Sequence, residues 1–112
     1  MTMTKRMLFT LATLVVFVAG NVAAADLEAG KKKVQEVCAA CHGIDGAAPI
    51  MPEYPKLSGQ YPDYLQKALR DYKSGARKNP IMAGFAQGLT DKDIENVAAY
   101  FSTQPSVLAT MH

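Results

Sequence analysis

Cysteine and histidine are scarce in this chain, with two of each among 112 residues. The two cysteines are Cys38 and Cys41, and the only histidine besides His42 is His112. A closed structural zinc site needs four ligands, and this inventory does not supply a credible set. A convincing strand is also missing, which removes the βαβ setting that a thioredoxin-like dithiol requires. Long apolar runs are absent beyond Leu8 to Ala19, which falls short of the ~20 residues needed to cross a bilayer. A basic excess is lacking too. The chain has 12 lysines and arginines against 10 aspartates and glutamates, and the surplus of two is Lys5 and Arg6, ahead of that apolar run. The remainder is balanced, which argues against a nucleic-acid binder. No internal repeat or low-complexity linker is visible.

What is present begins with a leader. Lys5 and Arg6 form a positive start, Leu8 to Ala19 an apolar centre, and Ala23-Ala24-Ala25 the small residues of a cleavage site. The expected cut follows Ala25, so residues 1–25 read as a secretory signal and 26–112 as one domain in the periplasm. No cysteine follows the cut, which argues against a lipid anchor, and the short apolar centre argues against a retained membrane anchor. A domain of this size buries only about 60–65% of its unfolded surface. It would gain from a large apolar ligand at its centre.

Three helical segments stand out. Residues 26–41 open on Asp26 as a cap with Glu28 in the first turn. Leu27, Gly30, Val34, Val37, Cys38 and Cys41 then share one face. Gly30 costs about 1 kcal/mol there relative to alanine, which predicts a close contact with another helix. Lys31, Lys32 and Lys33 read as a solvated face. Residues 62–74 follow Pro62, carry Tyr64, Leu65, Ala68, Leu69 and Tyr72 as a buried stripe, and stop at Gly75. Residues 90–103 open on a capping box, Thr90 with Asp93, and repeat Ile94, Val97, Ala98 and Phe101. Between these, 43–61 and 76–89 read as irregular from their glycines and prolines. The first is long enough to wrap something.

Cys38-Ala39-Ala40-Cys41-His42 carries the chemistry. Thiols at i and i+3 lie on one helical face and can reach two vinyl groups along one edge of a porphyrin. A histidine directly after the second thiol is then held at the iron, so the motif is the attachment pattern of c-type haem. The opposite face of the iron has four candidate ligands in Met51, Met82, Met111 and His112. Met82 is favoured because its Pro/Gly-bounded segment lies between two helices and can cover the far face. Met51 follows His42 too closely to round the haem edge easily, and Met111 and His112 sit at the loose chain end. Histidine–methionine ligation favours ferrous iron and leaves no open coordination position, which suits electron transfer.

Four stretches in order resemble the class I c-type cytochromes, more narrowly the short soluble bacterial monohaem cytochromes and single domains of dihaem periplasmic cytochromes. They are Cys-Ala-Ala-Cys-His-Gly at 38–43, Tyr-Pro-Lys-Leu-Ser-Gly-Gln at 54–60, Asn-Pro-Ile-Met at 79–82, and Leu-Thr-Asp-Lys-Asp-Ile-Glu-Asn-Val-Ala-Ala-Tyr-Phe at 89–101. The resemblance spans 26–103. It implies an all-α class I cytochrome c fold, with three to four helices around one haem c held through Cys38 and Cys41. It implies His42 and Met82 as proximal and distal iron ligands, and the Pro55 carbonyl as acceptor for the other His42 nitrogen. It also implies Gly30 crossing Tyr100 with Phe101 nearby, and Gln60 and Arg77 at the propionates. The implied function is not enzymatic. A monomeric periplasmic carrier would pass single electrons between redox protein partners, namely a membrane complex, a terminal oxidase or reductase, or a periplasmic dehydrogenase. It would have no nucleic-acid partner and no membrane span after leader removal. The alternative is a haem protein that binds or senses a ligand once Met82 leaves the iron.

Overall fold

Asp26 opens the first helix as the sequence predicts. Its carboxylate accepts from the Ala29 N–H at 3.0 Å, and its backbone is extended as an N-cap requires. The computed structural model describes residues 13–16 and 24–106. Lys5, Arg6, most of Leu8 to Ala19, Ala23, Met111 and His112, on which several expectations fall, lie outside the described residues.

Helix α1 (Leu27–Lys33), a π-helical segment (Val34–Cys38) and α2 (Ala39–His42) run on without a break. The sequence predicts one regular helix over 26–41, and the π-segment is the departure from it. There the Ala39 N–H reaches back to the Val34 carbonyl. A π-turn absorbs one extra residue, so Cys38 lies effectively seven α-helical steps from Gly30 instead of eight. Seven steps of ~100° return it to within about 20° of the Gly30 direction, whereas eight would leave it about 80° away. Gly30 and Val34 are buried, and Cys38 packs on the same core. Leu27, expected on that face, is instead 44% exposed. Lys33 departs from the solvated face expected of Lys31 to Lys33. It turns toward Glu36 and Asp93 at 3.7 and 4.0 Å.

Helix α3 (Pro62–Ser74) matches its prediction, with proline in the first turn and Gly75 in the left-handed conformation at φ 84° behind it. Helix α4 (Pro80–Gln87) corrects the irregular reading of 76–89. The Asn79 side chain accepts from the Ile81 and Met82 N–H groups, both at 3.1 Å. Pro80 then occupies a first-turn position where no N–H is needed. The Asn-Pro pair is therefore a helix start. Helix α5 (Asp91–Thr103) carries the predicted box. Thr90 Oγ1 accepts from the Asp93 N–H and an Asp93 oxygen accepts from the Thr90 N–H, each at 3.0 Å.

These elements form an all-helical fold of four helices, with α1 through α2 taken as one, and no strand among the described residues. Helix α1 crosses α5, and α3 lies against both α5 and α4. Val34, Leu65, Val97, Ala98, Tyr100 and Phe101 make the shared core. At the crossing, a Cβ on Gly30 would lie 2.2 Å from the Asn96 carbonyl oxygen and 3.1 Å from Tyr100 Cβ. The contact expected from a costly glycine is there, and its nearest atom belongs to the backbone. Residues 43–61 contain no helix or strand and are fastened to the end of α5. The Tyr100 hydroxyl donates to the Ile44 carbonyl at 2.9 Å. The Gly59 N–H donates to the Phe101 carbonyl, also at 2.9 Å. Gly46, at φ 75°, lies so close to Phe101 that a Cβ would meet its ring at 2.8 Å.

Two outcomes follow for stability. Gly30→Ala should cost on the order of 1–3 kcal/mol or more in urea unfolding of the holoprotein, because backbone must move to admit the methyl. Gly84→Ala in α4 meets nothing within 4 Å and should instead gain roughly 0.5–1 kcal/mol from helix propensity. Equal behaviour of the two would remove the crossing argument.

Asp93 gives a pH dependence. Its hydrogen bonds to Thr90 lower its pKa, with a smaller pull from Lys33 and Lys73. A lowered folded pKa means stability that is complete above the unfolded value of about 4 and lost as the pH falls through the folded one. The stability gap between wild type and Asp93→Ala should be full at pH 6 and shrink steadily below pH 4.

Candidate functional site

One cleft collects the residues that the sequence singles out. Cys38 comes from the π-segment, Cys41 and His42 from α2, Pro55 and Gln60 from the long loop, Tyr64, Leu65 and Leu69 from α3, and Met82 from α4. Its empty volume, open mouth included, is about 1290 Å³.

His42 is buried, and its Nδ1 lies 3.0 Å from the Pro55 carbonyl oxygen. A carbonyl can only accept, so Nδ1 carries the proton and donates. In a neutral ring the other nitrogen, Nε2, then holds a free lone pair, the state in which imidazole binds a metal. Gly43, at φ 83°, ends α2 directly after His42 and turns the chain away. Tyr54 lies beside the imidazole with ring centroids 6.1 Å apart.

Both cysteines are free and partly buried. Burial pushes the Cys38 thiol up to about 11, against a weaker opposite pull from the Lys33 ammonium. At neutral pH it is an uncharged sulfur on an apolar wall, an environment that also suits a thioether. Other parts of the cleft wall are half-exposed apolar side chains. Tyr64, Ile81 and Phe85 are 50%, 59% and 48% exposed, and all three line it. The stripe on α3 that the sequence marks as buried is therefore cleft wall. Leu65 is buried in its own right, while Tyr64 needs a further group for cover.

The methionine candidates separate here. Met82 is partly buried and lines the cleft, whereas Met51 is 42% exposed and does not line it. Gln60 lines the cleft, but its side-chain oxygen accepts from the Tyr61 N–H at 3.1 Å. Arg77 stands at the rim with its guanidinium 4.8 Å from the Tyr72 ring centroid. Its pKa is raised, chiefly by a side-chain hydrogen bond with Tyr64. Sequence reasoning missed Ile81 and Phe85 as lining residues because it left their segment irregular. It also missed Asn96, a buried amide whose oxygen accepts from the Asp26 N–H at 2.8 Å. Its neighbour Glu95 is as polar and partly exposed, so the pattern around it gave no signal.

The donor set fits a porphyrin. Two thiols, a lone-pair nitrogen and a thioether line one cleft together with half-exposed apolar side chains, a set of groups that suits a flat apolar body with a metal at its centre. The cytochrome c family profile matches residues 27–105. Cytochrome c4 of Stutzerimonas stutzeri is 48% identical over 91 residues, covering 73% of this chain and 42% of that protein. Cytochrome c-554(548) of Halomonas halodenitrificans is 44% identical over 84 residues, covering 72% of this chain and 99% of that protein. The crystal structure of reduced recombinant cytochrome c4 from Pseudomonas stutzeri superimposes with a TM-score of 0.66 at 46% identity, over 73% of this chain and 47% of that one. The chain thus spans about half the length, or less, of the cytochrome c4 relatives it matches.

Covalent attachment through the cysteine pair has a direct test. After acid–acetone extraction the haem colour should stay with the protein in wild type. Cys38→Ala with Cys41→Ala should release it to the solvent.

Proposed function

The chain belongs to the cytochrome c family, and on that premise we propose that it is an exported monohaem carrier with His42 and Met82 as its axial ligands. Its cofactor is haem c, and it is an electron carrier rather than an enzyme. Bound haem supplies a one-electron iron couple. The protein's own residues do the rest. Cys38 and Cys41 hold the porphyrin as thioethers. The Pro55 carbonyl fixes the His42 ring and keeps Nε2 unprotonated, as outer partners of ligating histidines do. Met82 would offer a soft sulfur to the iron from α4, and with His42 it would leave no place for an exogenous ligand. Tyr64, Ile81 and Phe85 keep water off the porphyrin. Arg77, and more weakly Gln60, stand where carboxylates at the cleft mouth would be met.

The observation that carries this reading is the single cleft holding Cys38, Cys41, His42 and Met82 while leaving Met51 out. Among the described residues no helix is long and apolar enough to cross a membrane. The leader at 1–25 and the working domain at 26–112 in the periplasm rest on the sequence pattern of Lys5, Arg6 and the apolar stretch after them. The proposed partners are redox proteins: a membrane complex, a terminal oxidase or reductase, or a periplasmic dehydrogenase. A monomer suffices for that exchange.

Ligand variants test the assignment. Met82→Ala should open the iron, so that carbon monoxide binds the reduced form readily. Met82→His should keep both axial positions filled and lower the reduction potential, because imidazole favours ferric iron more than a thioether does. Met51→Ala should do neither. Wild type that bound carbon monoxide rapidly would overturn the carrier reading, and a reversal between Met82→Ala and Met51→Ala would overturn the ligand assignment alone.

A further inference from the structure

Helix α5 holds the chain on both sides of the Ala25–Asp26 bond. The Asn96 side-chain oxygen accepts from the Asp26 N–H at 2.8 Å, across 70 residues of sequence. One turn earlier on the same helix, Lys92 Nζ donates to the Ala24 carbonyl at 3.4 Å. Asn96 is only 6% exposed, so its amide oxygen is a buried acceptor whose donor is the backbone nitrogen of one particular residue. Ala24 and Ala25 are exposed, and regular structure begins at Leu27.

We infer that Asn96 is the seat of the processed N-terminus: cleavage after Ala25 turns the Asp26 amide into an α-ammonium, and Asn96 receives it. This rests on the export reading above. The cleavage is hydrolysis of the Ala25–Asp26 peptide bond, with water supplying the hydroxyl to Ala25 and a hydrogen to the Asp26 nitrogen, which is protonated at neutral pH. Before the cut, a neutral N–H meets the Asn96 oxygen. After it, a charged donor does, and such hydrogen bonds are roughly twice as strong as neutral ones. A positive charge at a helix N-terminus is opposed by the helix dipole. The Asp26 carboxylate on the same residue and Glu28 in the first turn offset it locally. Lys92 loses the Ala24 carbonyl and keeps Glu95, at 3.4 Å.

The position gives this contact a consequence. Asn96 also supplies the carbonyl against which Gly30 packs. One residue of α5 therefore seats both the start of α1 and its crossing point, on the helix that leads to Cys38. Processing strengthens the clamp that sets how the haem-attachment motif is presented.

The test uses holoprotein with haem attached. The chain is exported behind leaders whose cleavage point gives a start at Asp26 or at Ala24, each as wild type, Asn96→Ala and Asn96→Asp. Asn96→Ala should raise the unfolding constant roughly five-fold more in the Asp26-start chain than in the Ala24-start chain. Asn96→Asp should show the reverse order, because a buried carboxylate finds a charged partner only in the Asp26-start chain. Exported wild type with its own leader should begin at Asp26 by intact mass and be released by osmotic shock. Equal costs in the two chains, or a periplasmic protein beginning elsewhere, would overturn the inference and leave export standing. An uncleaved chain held in the cytoplasm would overturn the export reading, and the inference with it.

Discussion

The approach of α1 to α5 at Gly30 is the constraint on which the rest of the molecule depends. A backbone carbonyl, that of Asn96, occupies the space a side chain would need. The two helices can therefore approach this closely only where α1 carries a glycine. Once they do, the direction of Gly30 around α1 is fixed, and the π-segment carries that direction on to Cys38. Cys41 and His42 follow on α2 with no freedom to choose another face. The presentation of the haem-attachment motif is thus settled by a missing methyl group two turns upstream. The capping box of α5 and the ion pair from Lys33 to Asp93 act on the same joint.

The second fixed point is the long loop. Its glycines read in the sequence as an absence of structure, yet its backbone is tied at both ends. Gly46 accepts from Leu57 and Ser58, and Gly59 donates to Phe101. Tying 44–59 onto the end of α5 brings Pro55 to a distance from His42 at which its carbonyl determines the tautomer. A loop with no helix or strand thereby sets which imidazole nitrogen is free. The cost of ordering those residues is offset by burial of Phe101 and Tyr100 beneath them.

Much of this was legible in the sequence, for identifiable reasons. Caps and stops at Asp26, Pro62, Gly75 and Thr90 are local chemistry, and local chemistry survives into the fold. Gly30 was legible because a glycine on an apolar stripe has a cost that something must offset. The segment 76–89 was misread because Asn79-Pro80 carries two meanings. As breakers the pair ends regular structure, and as N-cap and first-turn residue it begins a helix. Only the two N–H groups received by Asn79 decide between them. The π-segment was not legible at all, since a single absorbed residue leaves an apolar pattern that a regular helix nearly satisfies. Asn96 was hidden for a different reason: its partner is distant in sequence, and periodicity carries no information about a contact of that kind.

Covalent attachment changes how such a small domain is stabilised. A dissociable ligand stabilises a fold by binding it and not the unfolded chain, and the effect grows with ligand concentration. A tethered haem is present in both states, so mass action contributes nothing. What remains is intramolecular. His42 adjoins the tether and can stay near the iron when the chain unfolds. Met82 lies forty positions further along on another helix, so under the proposed ligand set its bond forms only when α4 is brought to the cleft. Ile81 and Phe85 stand on that same helix and line the cleft, half-exposed, so they would reach the porphyrin with it. Under that ligand set, the distal ligand and part of the apolar cover would be gained together, by docking one short helix. Closing a loop of that length costs only slowly more as it grows, so the long gap between His42 and Met82 is cheap. In return, under the proposed ligand set, the same docking event would close the iron and bring the apolar face of α4 to the porphyrin.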